Sequence, residues 1–294
     1  MNILITGAEG FIGKRLTEGL LTAGHSVIGH CYADGDIAQK EGLKKYENCK
    51  IDVVYHLAAR TFVPDSWRDT YDYFQTNVMG TMAVLEYCRE YHCAVVLMST
   101  YVYGEPQFLP VSEEHPTVAL TPYHETKVLI EHIGKFYSEK FAVPVTVFRP
   151  FNVYGAGQNE NFLLPKIMKQ LLDENIKEIS LMDLQPKRDY VYIDDVIEIM
   201  LCALQIKDGF KVYNIGTGNS YSVEEALNTC MEVTGIFKPY FATNETRAQE
   251  VSDCVADMSK VKRDFGYHIK YSLQEGIRKW YEEIRRNDTT YEKK

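Results

Sequence analysis

The chain has 294 residues, 45% hydrophobic and 25% charged, the balance of a soluble globular protein with a sizeable core. A net charge of −9 without a long basic run excludes nucleic acid as an expected partner, and no apolar run approaches the ~20 residues a membrane helix needs. The seven cysteines are scattered, with no C-x-x-C pair and no Cys/His ligand spacing, which predicts reduced thiols in the cytoplasm, no disulfide framework and no metal site.

The N-terminus enters a short apolar run with no basic segment before it, so no signal peptide is expected. Asn2 to Thr6 reads as a buried strand ended by Gly7. From Phe11 onward, Ile12, Leu16, Leu20 and Leu21 recur at helical spacing, and Gly24 is a helix stop. A glycine-rich turn, Gly7-Ala8-Glu9-Gly10-Phe11-Ile12-Gly13, therefore joins strand to helix. Gly7 permits the tight turn, Gly10 lets the backbone approach a pyrophosphate, and Gly13 allows close packing of helix on strand. This predicts a dinucleotide site. Ser26 to Cys31 reads as the second strand. An acid at its end usually binds the adenosine ribose; here His30, Cys31 and Tyr32 stand there, with Asp34 and Asp36 nearby. No Arg or Lys follows to receive a 2′-phosphate, which favours NAD over NADP without excluding NADP. Asp36-Ile37 is read as following a vestigial third strand, with a short helix over 38–46. Asp36 is a candidate adenine contact, equally readable as a solvated loop acid.

Val53 to Ala59 reads as a buried strand, and the small residues after Leu57, Ala58 and Ala59, would let a cofactor lie close. Asn77 to Tyr91 reads as a helix and Ala94 to Met98 as a strand ending in Ser99-Thr100, hydroxyls placed where parallel sheets bind ligands. In Thr121-Pro122-Tyr123-His124-Glu125-Thr126-Lys127, the four-residue spacing puts Tyr123 and Lys127 on one face of a helix that runs to about Lys140. A phenol normally keeps its proton to pH ~10. A fixed ammonium beside it favours phenolate, which suits acid/base work near neutral pH. Pro144 to Arg149 reads as a further strand. Alternating strands and helices of this length imply a parallel, doubly wound α/β sheet.

Beyond residue 155 the alternation loosens. Helices are expected over 163–172 and from Asp194-Asp195, read as a cap, to about Gln205. A short strand is expected over 178–183. Val212 to Ile215 is expected to return to the main sheet, and Ser222-Val223-Glu224-Glu225 reads as a helix start.

Eight segments in order carry a resemblance: TGAEGFIG (6–13), DVVYHLAA (52–59), NVMGT (77–81), STYVYGE (99–105), YHETK (123–127), RPFNVYGAGQ (149–158), RDYVYIDD (188–195) and YNIGTGN (213–219). Over residues 1 to about 285 the chain resembles the extended short-chain dehydrogenase/reductase family, in particular its nucleotide-sugar epimerases, dehydratases and reductases. The resemblance implies a Rossmann-type NAD-binding domain over 1–154, a smaller mixed α/β substrate-binding lobe over 155–285, and a polar tail over 286–294. It implies that Tyr123 is the catalytic acid/base, that Lys127 holds the nicotinamide ribose, and that a hydroxyl from Ser99 or Thr100 meets the reacting oxygen. Counting forward from the strand favours Thr100; counting back from Val102 favours Ser99. The same likeness implies cofactor contacts from Gly7, Gly10, Phe11, Ile12, Gly13, Asp36, Ile37, Leu57, Ala58, Ala59, Asn77, Ser99, Tyr123, Lys127, Pro150, Asn152 and Val153. For a UDP-, dTDP- or GDP-linked sugar it implies Thr100, Tyr123, Asn152, Asn161, Phe162, Arg188 and Arg247, the arginines facing the diphosphate.

The dehydratases of this family carry Asp-Glu after the catalytic threonine, where this chain has Tyr101-Val102, so dehydration is not expected. The later motifs look more like epimerases, which implies inversion at C4 through a keto sugar. The short 32–51 segment resembles 4-keto-sugar reductases, and that activity is the alternative. A non-catalytic NAD(P)-sensing role is a third reading, disfavoured by the intact Tyr-Lys pair. A homodimer is expected by the same resemblance.

Overall fold

A computed structural model describes residues 1–39, 41–245 and 251–291. Its centre is a six-stranded parallel sheet. In chain order the first half runs β1 (Asn2–Thr6), α1 (Phe11–Thr22), β2 (Ser26–His30), β3 (Val53–His56), α2 (Val63–Arg68), α3 (Thr70–Phe74), a π-helical turn (Gln75–Met79), α4 (Gly80–Tyr91), β4 (Ala94–Met98), α5 (Pro122–Phe141) and β5 (Val145–Pro150). The second half adds β6 (Asn152–Tyr154), α6 (Leu163–Leu172), β7 (Ile179–Leu181), β8 (Lys187–Arg188), β9 (Tyr190–Tyr192), α7 (Ile193–Cys202), β10 (Phe210–Ile215), β11 (Tyr221–Ser222), α8 (Val223–Thr234), β12 (Tyr240–Ala242), β13 (Asp253–Cys254), α9 (Ser259–Phe265) and α10 (Leu273–Tyr291). The main sheet has the order β10-β5-β4-β3-β1-β2, so β10 lies parallel to β5 at one edge.

Strand alternation sorts the core into two layers. Ile3, Ile5, Tyr55, Val96 and Phe148 face a cluster with Leu16 and Leu20 of α1 and Val196, Ile197 and Met200 of α7. Leu4, Val54, Val95, Leu97 and Val147 face the opposite way, onto Val84, Leu85 and Cys88 of α4 and Tyr137 of α5. Burial on both faces is why these strands read as continuous apolar runs.

Three local expectations are corrected. Among the described residues no strand lies between β2 and β3; the segment folds as 3₁₀ turns at Tyr32–Asp34 and Lys44–Tyr46, leaving β2 at the edge. Ile37, Leu43 and Tyr46 from this segment fill the core layer under Leu4, so the short loop does the covering a strand and helix would do. Asn77 sits in the π-helical turn and the α-helix begins only at Gly80, after two short helices that lack a long apolar period. Asp194 and Asp195 lie in the first turn of α7 without capping it; Asp195 instead accepts hydrogen bonds from the Tyr267 hydroxyl (2.6 Å) and the Lys270 N–H (2.9 Å). The polar segment from Arg286 onward continues α10 as far as Tyr291.

The smaller lobe is built from α6, α8, α10 and short strands, with β11-β8-β13 as a three-stranded sheet and β6 parallel to β9. Helix α8 starts on a reciprocal cap: the Glu225 N–H donates to Ser222 Oγ (3.0 Å) and the Ser222 N–H to the Glu225 carboxylate (2.6 Å). No helix among the described residues is long and apolar enough to cross a membrane.

Candidate active site

The glycine turn between β1 and α1 is as tight as backbone allows. Gly7 has φ +72°, and a Cβ there would stand 2.7 Å from the Ala58 nitrogen. A Cβ on Gly13 would stand 2.2 Å from the Gly7 carbonyl oxygen. Gly10 occupies the N-cap of α1 with no side chain closing that end, so the first amides of the helix face outward at its positive pole. Phe11 and Ile12 follow, half-buried, and Leu57, Ala58 and Ala59 lie half-buried beside the turn. These residues fit a dinucleotide: a backbone cradle no side chain fills, with small residues next to it.

At the end of β2, His30 is buried and its carbonyl accepts the Gly7 N–H (2.8 Å). The Cys31 N–H and Sγ both donate to the Asp34 carboxylate. Lys45, which linear reading does not place here, folds back and donates to Asp34 Oδ1 (2.8 Å). The nearby cation is thus already paired with an acid. Asp36 is half-buried and its Oδ1 accepts the Ala38 N–H (2.9 Å), closing a turn.

Two residues expected at the cofactor are otherwise engaged. The Ile37 side chain is buried in the core against Gly80. Asn77 is buried; its Oδ1 accepts the Arg60 N–H (2.9 Å), and its Nδ2 donates to the Arg60 carbonyl (3.0 Å) and Thr126 Oγ1 (3.0 Å). It shapes the loop after β3 and pins it to α5.

Helix α5 begins with Thr121, whose Oγ1 accepts the His124 N–H (3.1 Å), and Pro122 follows at the first helical position. That start puts Tyr123 and Lys127 on the buried face, over the end of β4. Lys127 Nζ donates to the Met98 carbonyl (2.8 Å) and lies 5.7 Å from the centre of the Tyr123 ring. Thr100 stands beside the Tyr123 phenol, close enough to act on its pKa. Ser99 turns elsewhere: its Oγ donates to Glu131 Oε1 (2.5 Å). Of the two hydroxyls that counting left in competition, Ser99 is held by Glu131 and Thr100 lies on the side of the phenol.

Electrostatics depart from the simple picture of an ammonium lowering a phenol. Burial raises the Tyr123 pKa well above its ordinary value, and the neighbouring Thr100 hydroxyl only partly opposes it. Burial lowers Lys127 to about 8, with Glu131 pulling it back up. The ammonium is spent on a carbonyl and lies over the ring, so the free protein holds Tyr123 as a neutral phenol. His124, beside Tyr123, is lowered to about 4 by burial, and its Nδ1 is buried without a hydrogen-bond partner.

Across the cleft, Pro150 is buried at the end of β5 and Val153 half-buried on β6. Asn152 Oδ1 accepts from the Tyr101 hydroxyl (3.4 Å) and its Nδ2 donates to the Asp189 carbonyl (3.3 Å). Asn161 is exposed; Phe162, at the N-cap of α6, meets Phe62 edge to face at 6.0 Å. Arg188 donates to the Val251 carbonyl (2.7 Å) from β8. Arg247 lies outside the described residues.

Sequence reading missed Asp189, buried beneath this lobe. Its carboxylate accepts from the Thr217 N–H (2.8 Å), Thr217 Oγ1 (2.7 Å), the Gly218 N–H (3.0 Å) and the Ala256 N–H (3.2 Å). It also missed Glu131 and Arg149, a buried ion pair next to the site. The signal was present: Glu131 follows Lys127 by one turn, and Arg149 opens a motif used in the comparison above.

The family model described as NAD dependent epimerase/dehydratase family matches residues 3–216. A putative UDP-glucose 4-epimerase of Methanocaldococcus jannaschii is 30% identical, over 98% of this chain and 100% of that protein. The crystal structure of a Thermotoga maritima UDP-glucose 4-epimerase with UDP-glucose superposes with a TM-score of 0.90 at 28% identity, covering 98% of this chain and 99% of that one. A Bacillus cereus UDP-glucuronic acid 4-epimerase in complex with UDP-glucuronic acid and NAD gives 0.84 at 30% identity, over 97% and 99%. With the glycine cradle, the parallel sheet and the family match coinciding on the same residues, the chain belongs to the NAD dependent epimerase/dehydratase family.

Proposed function

We propose that the chain is an NAD-dependent nucleotide-sugar 4-epimerase acting on a UDP-linked sugar. The observation that carries this reading is the convergence of Tyr123, Thr100 and Lys127 at the end of β4, beside the backbone cradle at Gly7-Gly10-Gly13. Relatives and structural neighbours across nearly the whole chain support the choice of a UDP-sugar.

NAD, when bound, supplies a hydride acceptor and a positive ring near the phenol. With that positive charge and Lys127 favouring its phenolate, Tyr123 would take the proton of the sugar hydroxyl as the carbon loses hydride, and return it when the keto sugar is reduced on its other face. Thr100, beside the phenol, orients the reacting oxygen. Lys127 supplies a fixed positive charge, which stabilises phenolate only while it keeps its own proton. Asn152 and Phe162 border the sugar, and Arg188 faces the diphosphate. A cytoplasmic homodimer completes the proposal.

Purified protein with NAD and UDP-glucose, UDP-galactose or the UDP-uronic acids tests the reading, with product identity followed by chromatography. Epimerisation gives the C4 epimer without net NADH; a reductase would consume NADH in proportion to product. Tyr123→Phe should keep cofactor affinity and lose on the order of 10²–10⁴-fold in kcat. Full activity in that variant would sink the proposed mechanism.

A further inference from the structure

Tyr123, Lys127 and Glu131 stand one turn apart on one face of α5, and all three are buried. Successive residues of the β4 end answer them: Met98 bonds through its carbonyl to Lys127 and Ser99 bonds to Glu131, while Thr100 stands beside Tyr123. The Glu131 carboxylate is also gripped by Arg149, through Nε to Oε1 (3.0 Å) and Nη2 to Oε2 (2.6 Å). Arg149 Nη1 donates to the Tyr103 hydroxyl (3.0 Å) and the Glu113 carbonyl (3.3 Å). Tyr103 donates onward to Asn214 of β10. One polar network thus ties α5 to β4, β5, β10 and the loop after β4.

A buried ion pair is weak evidence for stability, because desolvation costs each ion several kcal/mol and an apolar pair is often as stable. Its charge and its position beneath the site call for another account. We propose that Glu131, clamped by Arg149, is the positioning residue of this site: its bond to Ser99 sets where the adjoining Thr100 stands beside Tyr123, and its carboxylate, one turn along α5, is the counter-charge to Lys127. The proposal rests on the reading of Tyr123, Thr100 and Lys127 given above.

The groups facing Lys127 agree with this. Tyr123 shares its helix, with Tyr73 of α3 and Tyr101 of the loop after β4 acting on that phenol. His56 of β3 is lowered to about 3 by burial and by the Lys127 charge, so it stays neutral in the working range. Arg149 of β5 is cationic. Glu131 is the group that raises Lys127, against burial that brings it to about 8. Without that carboxylate, Lys127 would give up its proton at lower pH.

Three variants of the full chain test the two halves of the proposal. Ser99→Ala keeps both charges and removes the tie; kcat should fall ~10–100-fold with KM and NADH affinity unchanged and the pH profile in place. Glu131→Gln should also shift the alkaline limb of the kcat profile to lower pH. If that variant does not fold, because Arg149 is left buried and unpaired, the apolar pair Glu131→Leu/Arg149→Met carries the test, with NADH binding kept and kcat down ~100-fold. Wild-type kcat in Ser99→Ala or in the apolar pair, or an unmoved alkaline limb in folded Glu131→Gln, overturns the proposal. Tyr123→Phe measured alongside separates the two readings. If it stays active, the site itself is misread; if it is dead while the Ser99 and Glu131 variants run at wild-type rates, only the role of Glu131 fails.

Discussion

Gly10 and Gly13 lie three residues apart in the same turn, yet the space around them differs. A Cβ at Gly13 would meet the Gly7 carbonyl oxygen at 2.2 Å, whereas at Gly10 the nearest contact is that same oxygen at 3.2 Å. Gly13→Ala should therefore destabilise the fold by about 1–3 kcal/mol, read as a lower urea midpoint. Gly10→Ala should leave that midpoint nearly unchanged while weakening NAD binding at least ~10-fold, measured by fluorescence titration. Equal effects of the two substitutions on stability would contradict this division. The cradle and the Tyr-Lys spacing are legible in sequence because each is local, set by a turn or by helical period. The bond from Ser99 to Glu131 is not, because it joins residues 32 apart in the chain. The pairing of Lys45 with Asp34 is hidden for the same reason, across a loop with no periodic pattern.

Among the elements, helices and strands of the first half are readable because buried parallel strands are apolar throughout and the long helices carry a clear stripe. The segment between β2 and β3 is misread because its apolar residues, Ile37, Leu43 and Tyr46, plug the core from turns. The second lobe is harder still, since β8, β11 and β13 have only two residues each and gain their order from side chains. Asp189 is the clearest of these. It draws the loop after β10 and the end of β13 to the junction of β8 and β9, and a Cβ on Gly216 would stand 2.5 Å from its carboxylate. Asp189→Ala strands three N–H groups, that of Ala256 buried, and should cost on the order of 3 kcal/mol, seen as a fall in thermal midpoint. A loss under about 1 kcal/mol would mean that this lobe is held by its apolar contacts alone.

For the molecule as a whole, buried histidines set the acid side of the stability curve. His56 is lowered to about 3 and His124 to about 4, and His30 is lowered as well, each chiefly by burial. In the unfolded chain all three take up protons near pH 6.5. Between that pH and their folded values the unfolded state binds more protons, so stability is present above ~6.5 and falls as pH drops. Urea midpoints measured from pH 7.5 to 5 should decline steadily, and His124→Ala should make the decline shallower. A flat profile over this range would contradict the burial of these rings.

The strand order has a consequence for how the chain is made. Apart from β3, which joins β1 on the side away from β2, each strand of the main sheet is laid beside the one synthesised before it, out to β10 against β5. A nascent chain can therefore lengthen its sheet as it leaves the ribosome. The face carrying Ile3, Ile5, Tyr55 and Phe148 is covered only in part, by α1, until α7 arrives and the Met200 carbonyl accepts the Tyr55 hydroxyl at 2.8 Å. A chain halted after Pro150 would hold Tyr123, Thr100 and Lys127 in full and still present a partly uncovered apolar sheet face to chaperones. The half that carries these residues is encoded first, but part of its cover is supplied by the half that follows.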